Sequence, residues 1–273
     1  MNTLKILLAV DHTQQADEAA RGVPECFPGA EVEILYALDI EAVPHSHLSA
    51  ALIDKYHEKI RSRLQAEANK FLPKVAALFL RVAGRVRILM REGRASDVIL
   101  KTAVSFRPDL IVLGSRGLSG MQAWLLGSVS YRVAEQAPCP VLLCKHLLPP
   151  VPKLLLVVDH TEAARRAIRF LTEQRAFQPG HVVVLFLDRS QSGAAATLTG
   201  IKEELSSREF SVDARLLTGD PTTRILQCAQ TEASDVIILG ITDASDWWRR
   251  WLEGTLSHSI MVAAHTSVLI IHG

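Results

Sequence analysis

The stretch VLGSRGLSGMQAWLLGSVSYRVAEQAPCPVLLC, residues 112–144, spaces Gly114, Gly117 and Gly127 as G-x2-G-x9-G and sets Ser128 directly after the last of them. Glycine has no Cβ, so backbone N–H groups there can approach an anion closely. Gly127-Ser128 opens a helical pattern, and a helix N-terminus offers unpaired N–H groups with a partial positive charge. Phosphate is the chemistry that fits. Ser128, Val129 and Ser130 form the first helical turn, the two serine hydroxyls add donors, and Arg116 adds charge. The loop is not a Walker A motif, because no G-K-[ST] follows, nor a dinucleotide fingerprint, because G-x-G is missing.

Other reactive residues are sparse. His45 and His47 stand two apart, but no matching set of cysteines or carboxylates accompanies them as a metal site requires. His12 and His160 follow the aspartates Asp11 and Asp159, and a local hydrogen-bonding role is expected for both. There is no G-x-S-x-G and no H-E-x-x-H. No base or water-positioning residue beside the glycine loop can be named, so an evolved phosphoryl-transfer enzyme is not indicated.

Elements that would position the loop come twice. KILLAVDHT (5–13) returns as KLLLVVDHT (153–161), with seven of nine positions identical. GRASDVILKTAVSFRPDLIVLG (93–114) aligns with GDPTTRILQCAQTEASDVIILG (219–240), and GSVSYRVAEQAPCPVLL (127–143) with GTLSHSIMVAAHTSVLI (254–270). The proline-rich HLLPPVP (146–152) separates the copies as a linker. In the first copy, strands are expected over 5–10, 30–38, 86–93, 108–114 and 139–145. Helices are expected after Thr13, over about 46–77, over 95–106 with Ser96 or Asp97 as cap, and over 127–137. Unbroken apolar runs such as KILLAV mark strands buried on both faces. The fold class is therefore α/β, with two doubly wound five-stranded parallel sheets of order 3-2-1-4-5 and domains at 1–147 and 148–273. The strand order reverses between the first and fourth strands, and ligands bind such sheets at that switch point.

At this point the chain resembles the universal stress protein family. The resemblance rests on Gly114-Ser-Arg-Gly117…Gly127-Ser128, on APCPVLLCK after it, on the apolar first strand ending in Asp11, and on the element from Gly93 to Ile99. It implies a nucleotide-alpha-hydrolase-like sheet with ATP, or another adenine nucleotide, bound in the first copy. Adenine would lie near Val10 and the end of the second strand, the phosphates on the glycine loop, and Asp11 near the nucleotide or its Mg²⁺. The other reading of Asp11 is a cap on the next helix. The resemblance also implies a stress-responsive cytoplasmic protein, and a fifth strand that pairs across a dimer or, in a tandem chain, pairs 139–145 with 267–272.

The second copy departs from this pattern. It reads Gly240-Ile-Thr-Asp243, then ten residues, then Gly254-Thr255. A carboxylate where phosphate should lie is repulsive, so this copy is not expected to bind ATP in the same way. Its WWRRW (247–251) suits a partner surface or a different anionic ligand, or else a contact between domains or protomers. The 273 residues carry a net charge of +1, which gives no bulk attraction for nucleic acid or acidic lipid. No apolar run is long enough for a membrane helix, and MNTLKILLAVDHT reads as a first strand, not a signal peptide. Cys26, Cys139, Cys144 and Cys228 form no C-x-x-C pair and are expected as buried free thiols. Three functions compete: a nucleotide-binding regulatory module with an unidentified protein partner and at most slow ATP hydrolysis, an ATP pyrophosphatase or adenylating relative lacking S-G-G-x-D, and a nucleotide-free scaffold or interaction protein.

Overall fold

The computed structural model describes residues 3–40, 50–80, 84–115, 126–159, 161–174, 176–187, 194–241 and 256–272. The first half runs β1 (Lys5–Ala9), α1 (Gln14–Cys26), β2 (Glu31–Leu38), α2 (Ala50–Ala77), β3 (Arg85–Glu92), α3 (Ala95–Phe106), β4 (Leu110–Gly114), α4 (Ser128–Gln136) and β5 (Val141–Cys144). The second half repeats it: β6 (Leu154–Val158), α5 (Glu162–Thr172), β7 (His181–Leu187), α6 (Ala194–Ser206), β8 (Ser211–Leu217), α7 (Pro221–Thr231), β9 (Val236–Ile241), α8 (Leu256–Ala263) and β10 (Ser267–His272).

All ten strands join one sheet in the order β3-β2-β1-β4-β5-β10-β9-β6-β7-β8. Each half has the expected 3-2-1-4-5 order, and every strand pair within a half is parallel. Helices cover both faces, which is why KILLA and LLLVV show no alternation. One core lies under α1, α2, α5 and α6, the other under α3, α4, α7 and α8, and both run through both halves.

The halves meet where β5 pairs antiparallel with β10, Leu142 opposite Leu269. These two leucines are repeat equivalents, so an approximate twofold axis passes between them. Matching contacts surround it. Lys145 Nζ donates to the carbonyls of Met261 (2.8 Å) and Ala264 at the end of α8. His272, the repeat equivalent of Lys145, places Nε2 2.8 Å from the Ala134 carbonyl near the end of α4. Tyr131 and His258, another equivalent pair, meet edge-on with ring centroids 5.8 Å apart. The linker is also fastened: Leu148 is buried against Gly22, and the Cys26 thiol donates to the Pro149 carbonyl at 2.9 Å.

One local expectation needs correction. Neither Ser96 nor Asp97 caps α3. The N-cap is Arg94, which makes no side-chain cap, because Gly93 turns the chain at φ +130° and the helix begins at Ala95. Ser96 is buried in the first turn, and Asp97 instead pairs with Arg132 of α4 at 2.7 Å.

The seam makes stability depend on pH. Burial holds the His272 imidazole below its ordinary pKa, against the opposing pull of the Ala134 and Cys139 backbone. The unfolded chain then takes up a proton that the folded chain refuses. Stability is therefore full above about pH 6.5 and is lost as pH falls below it. Melting curves down to about pH 5 should show this loss, and His272→Gln should flatten it; an equally steep loss in the variant would place the titrating group elsewhere.

Candidate functional site

The register places Ala9 beside Leu113, so β1 and β4 end together and Asp11 and Ser115 emerge at the same edge of the sheet. This is the switch point of the first half, since β1 has β2 on one side and β4 on the other. Ser115 anchors both ends of the glycine loop. Its N–H donates to the Cys144 carbonyl (2.8 Å), and its own carbonyl accepts from Gly127 N–H (2.9 Å). The chain thus returns to its starting point just before α4. Gly127 is the N-cap of α4 and supplies no side-chain cap, so the N–H groups of Ser128, Val129 and Ser130 have no intrahelical acceptor. Ser128 is exposed and Val129 is half-buried.

Ser130 is corrected. It is buried, and its hydroxyl donates to the Gly114 carbonyl at 2.7 Å. That proton braces the loop base, which leaves the backbone N–H of Ser130, in the first turn of α4, as its group without an intrahelical acceptor. Val10 is also buried in the core, with its N–H on the Leu35 carbonyl at 2.9 Å, so its side chain belongs to the fold. Arg116 and Gly117 lie outside the described residues, as do His45, His47, Asp243, WWRRW and Gly254.

Asp11 acts one step back from the helix cap. Its Oδ1 accepts from the Thr13 N–H (2.9 Å) and the Thr13 hydroxyl (2.5 Å), and Thr13 Oγ1 caps α1 by accepting from Ala16 N–H (3.3 Å). Asp159, Thr161 and Ala164 repeat the same three contacts. This network therefore belongs to the fold. It occupies one Asp11 oxygen, and among the described residues Oδ2 has no hydrogen bond. Among the described residues His12 makes no hydrogen bond of the expected kind, and its ring packs on Phe71 (4.6 Å) and Tyr36 (5.7 Å).

Gly114 has an equally local reason. A Cβ there would lie 2.9 Å from Ala16 N, and one on Gly240 would lie 2.6 Å from the Ala163 carbonyl carbon. Both halves need this glycine so that the strand end can pass under the start of α1 in the first half and of α5 in the second. Gly117 has no such counterpart, since Asp243 stands at the matching position.

The structure adds two residues that the sequence reading passed over. Ser115 Oγ and Asp39 Oδ1 are buried and have no hydrogen-bond partner among the described residues. Ser115 follows β4, and Asp39 follows β2. Both stand at carboxyl ends of strands, where unpaired buried polar atoms are costly without a ligand or water. Ser115 sits inside the glycine motif and was visible there; Asp39 carries no motif.

All four cysteines are free, but only Cys26 and Cys144 are buried; Cys139 and Cys228 are half-buried. Burial pushes the Cys26 and Cys139 thiols up to about 12, which keeps them protonated and unreactive. Among the described residues, no three His, Cys, Asp or Glu side chains converge on a metal position, and no helix is long and apolar enough to cross a membrane.

The universal stress protein family model matches residues 2–145. The chain belongs to the universal stress protein family. A universal stress protein from Thermus aquaticus is 34% identical over 143 residues, covering 51% of this chain and 97% of that protein. One from a Synechocystis strain is 25% identical over 232 residues, covering 78% of this chain and 79% of its own length. Over the full chain, the crystal structure of a universal stress protein from Archaeoglobus fulgidus superposes with a TM-score of 0.74 at 20% identity, covering 100% of this chain and 99% of that one. The architecture is the doubly wound α/β fold of that structure.

Gly114→Ala and Gly240→Ala should each cost about 1–3 kcal/mol in denaturant unfolding, because backbone must move to admit the methyl group. A neutral Gly114→Ala would remove the packing explanation for that glycine.

Proposed function

We propose that the first half, residues 1–147, is a universal stress protein domain that binds one adenine nucleotide, and that the second half, residues 148–273, is a structural or partner-binding domain. The observation that carries this reading is the loop base. Ser115 pins both ends of the glycine loop, and α4 begins there without a side-chain cap. A helix start of this kind at a sheet's switch point suits phosphate. The orphaned Ser115 Oγ and Asp39 Oδ1 supply the buried polar atoms that a nucleotide's hydroxyl, amine or phosphate groups would satisfy. Gly114, Arg116, Gly117, Gly127 and the N–H groups of Ser128, Val129 and Ser130 surround the phosphates, while Val10 and Asp11 border the base and sugar.

Magnesium fits only as a companion of the nucleotide. Asp11 offers one free carboxylate oxygen, and Mg²⁺ is commonly held by one or two carboxylates plus substrate phosphates and waters. The chain's role is then to report nucleotide occupancy in the cytoplasm to an unidentified protein partner, which responds only if it binds one state better. Hydrolysis is not part of the proposal, since no water-positioning residue is identified.

Calorimetry with Mg-ATP tests this on the wild type and on Gly117→Asp, which places the second half's residue in the first. One site per chain, lost in the variant, is the expected result. No heat with ATP, ADP or AMP would leave a nucleotide-free scaffold, and two sites would show that Asp243 does not exclude phosphate.

A further inference from the structure

Away from the crevice, β3 and α3 enclose a groove whose charge the nucleotide site does not explain. β3 is an edge strand of the sheet, and its residues 87, 89 and 91 share the face turned to α3. Two adjoining cavities of about 400 and 380 Å³ lie there, and Arg91, Thr102 and Ser105 line both. Their combined size is that of a small-molecule site. Arg87 enters the first cavity and Lys101 the second.

The ion pairing around this groove is uneven. Two of its acids are already taken: Glu92 by Arg61 (2.8 Å) and Asp97 by Arg132 (2.7 Å). Glu33, on β2, feels Arg87 and Arg91 through space without a direct ion pair. Among the described residues, Arg87, Arg91 and Lys101 make no side-chain hydrogen bond or ion pair, so three cations face one acid. The matching groove of the second half, between β8 and α7, is different. It encloses about 310 Å³, and both of its arginines are engaged: Arg215 with Glu232 (2.6 Å) and Arg224 with Gln227 (3.1 Å). At repeat-equivalent positions, Leu217 stands for Arg91 and Gln227 for Lys101.

We propose that the β3–α3 groove is a second anion site, in which Arg87, Arg91 and Lys101 bind a small ligand carrying two or more phosphate groups. Guanidinium groups suit phosphate because their planar forks bind it through two parallel hydrogen bonds. The ligand lies along the cationic rim and not over Glu33. Charges on an edge strand also discourage pairing with other chains, but that role needs no bound anion.

Titration calorimetry with inorganic tripolyphosphate, at low salt and without metal, separates these roles. The wild type should give a saturable site, weakened by added salt. Arg87→Gln/Arg91→Gln/Lys101→Gln together should weaken it at least about tenfold. Circular dichroism checks that this variant is folded, and Arg91→Gln alone should give a smaller loss if the triple variant is not. Gly117→Asp removes the crevice's contribution, so binding that survives it belongs to the groove. Absence of saturable binding, binding indifferent to the three substitutions, or binding lost in Gly117→Asp alone would overturn the proposal. The nucleotide reading is judged separately by Mg-ATP, and either can fail without the other.

Discussion

The antiparallel pairing of β5 with β10 is the constraint on which the rest of the molecule depends. A five-strand sheet of order 3-2-1-4-5 exposes its fifth strand as an edge, and an apolar edge invites association. Here Val141–Cys144 and Ser267–His272 cover each other. The two halves thereby become one ten-stranded sheet with a continuous core on each face. Leu142 and Leu269 at the join are fully buried, so the seam has the character of a domain interior and not of a wet interface.

Because strand direction reverses at the seam, the carboxyl ends of the two halves, and the crevices there, open from opposite ends of the sheet. What lies between them is the pair α4 and α8. Each helix has its last carbonyls capped by a side chain from the other half, Lys145 on one and His272 on the other. Cationic or donor groups at a helix C-terminus are favourable in just this position. Tyr131 and His258 then touch across the axis, one turn inside each helix. The helix whose start forms the candidate phosphate site is thus held by the half that lacks the glycine pattern.

The sequence carried most of the fold for a physical reason. Doubly buried strands need long apolar runs, and the duplication supplied each run twice, so the strands and their order could be read; the 139–145 pairing with 267–272 followed only from the family resemblance. Side-chain direction was harder to read. Ser130 looked like a ligand donor because its position in the helix is visible, whereas its rotation onto the Gly114 carbonyl depends on how closely α4 approaches β4. Asp97 looked like a cap, but its partner Arg132 is distant in sequence and near only in the fold. Asp39 had no motif at all; only burial without a partner distinguishes it.

Comparing the halves separates structural from chemical residues without reference to other chains. Contacts that both halves keep are those the backbone requires: Asp11 with Thr13 and Asp159 with Thr161, or Gly114 under Ala16 and Gly240 under Ala163. Features present in one half alone have no such requirement behind them, because the other half folds without them. Gly117 against Asp243 is one case, and the unpaired Arg91 and Lys101 against Leu217 and Gln227 is another. Both bear on the anion sites proposed above, and both fall in the first half. Since the seam lets each half lean on its twin for stability, one copy can keep a costly set of unpaired donors and cations while the other fills the same positions with a carboxylate, a leucine and an amide.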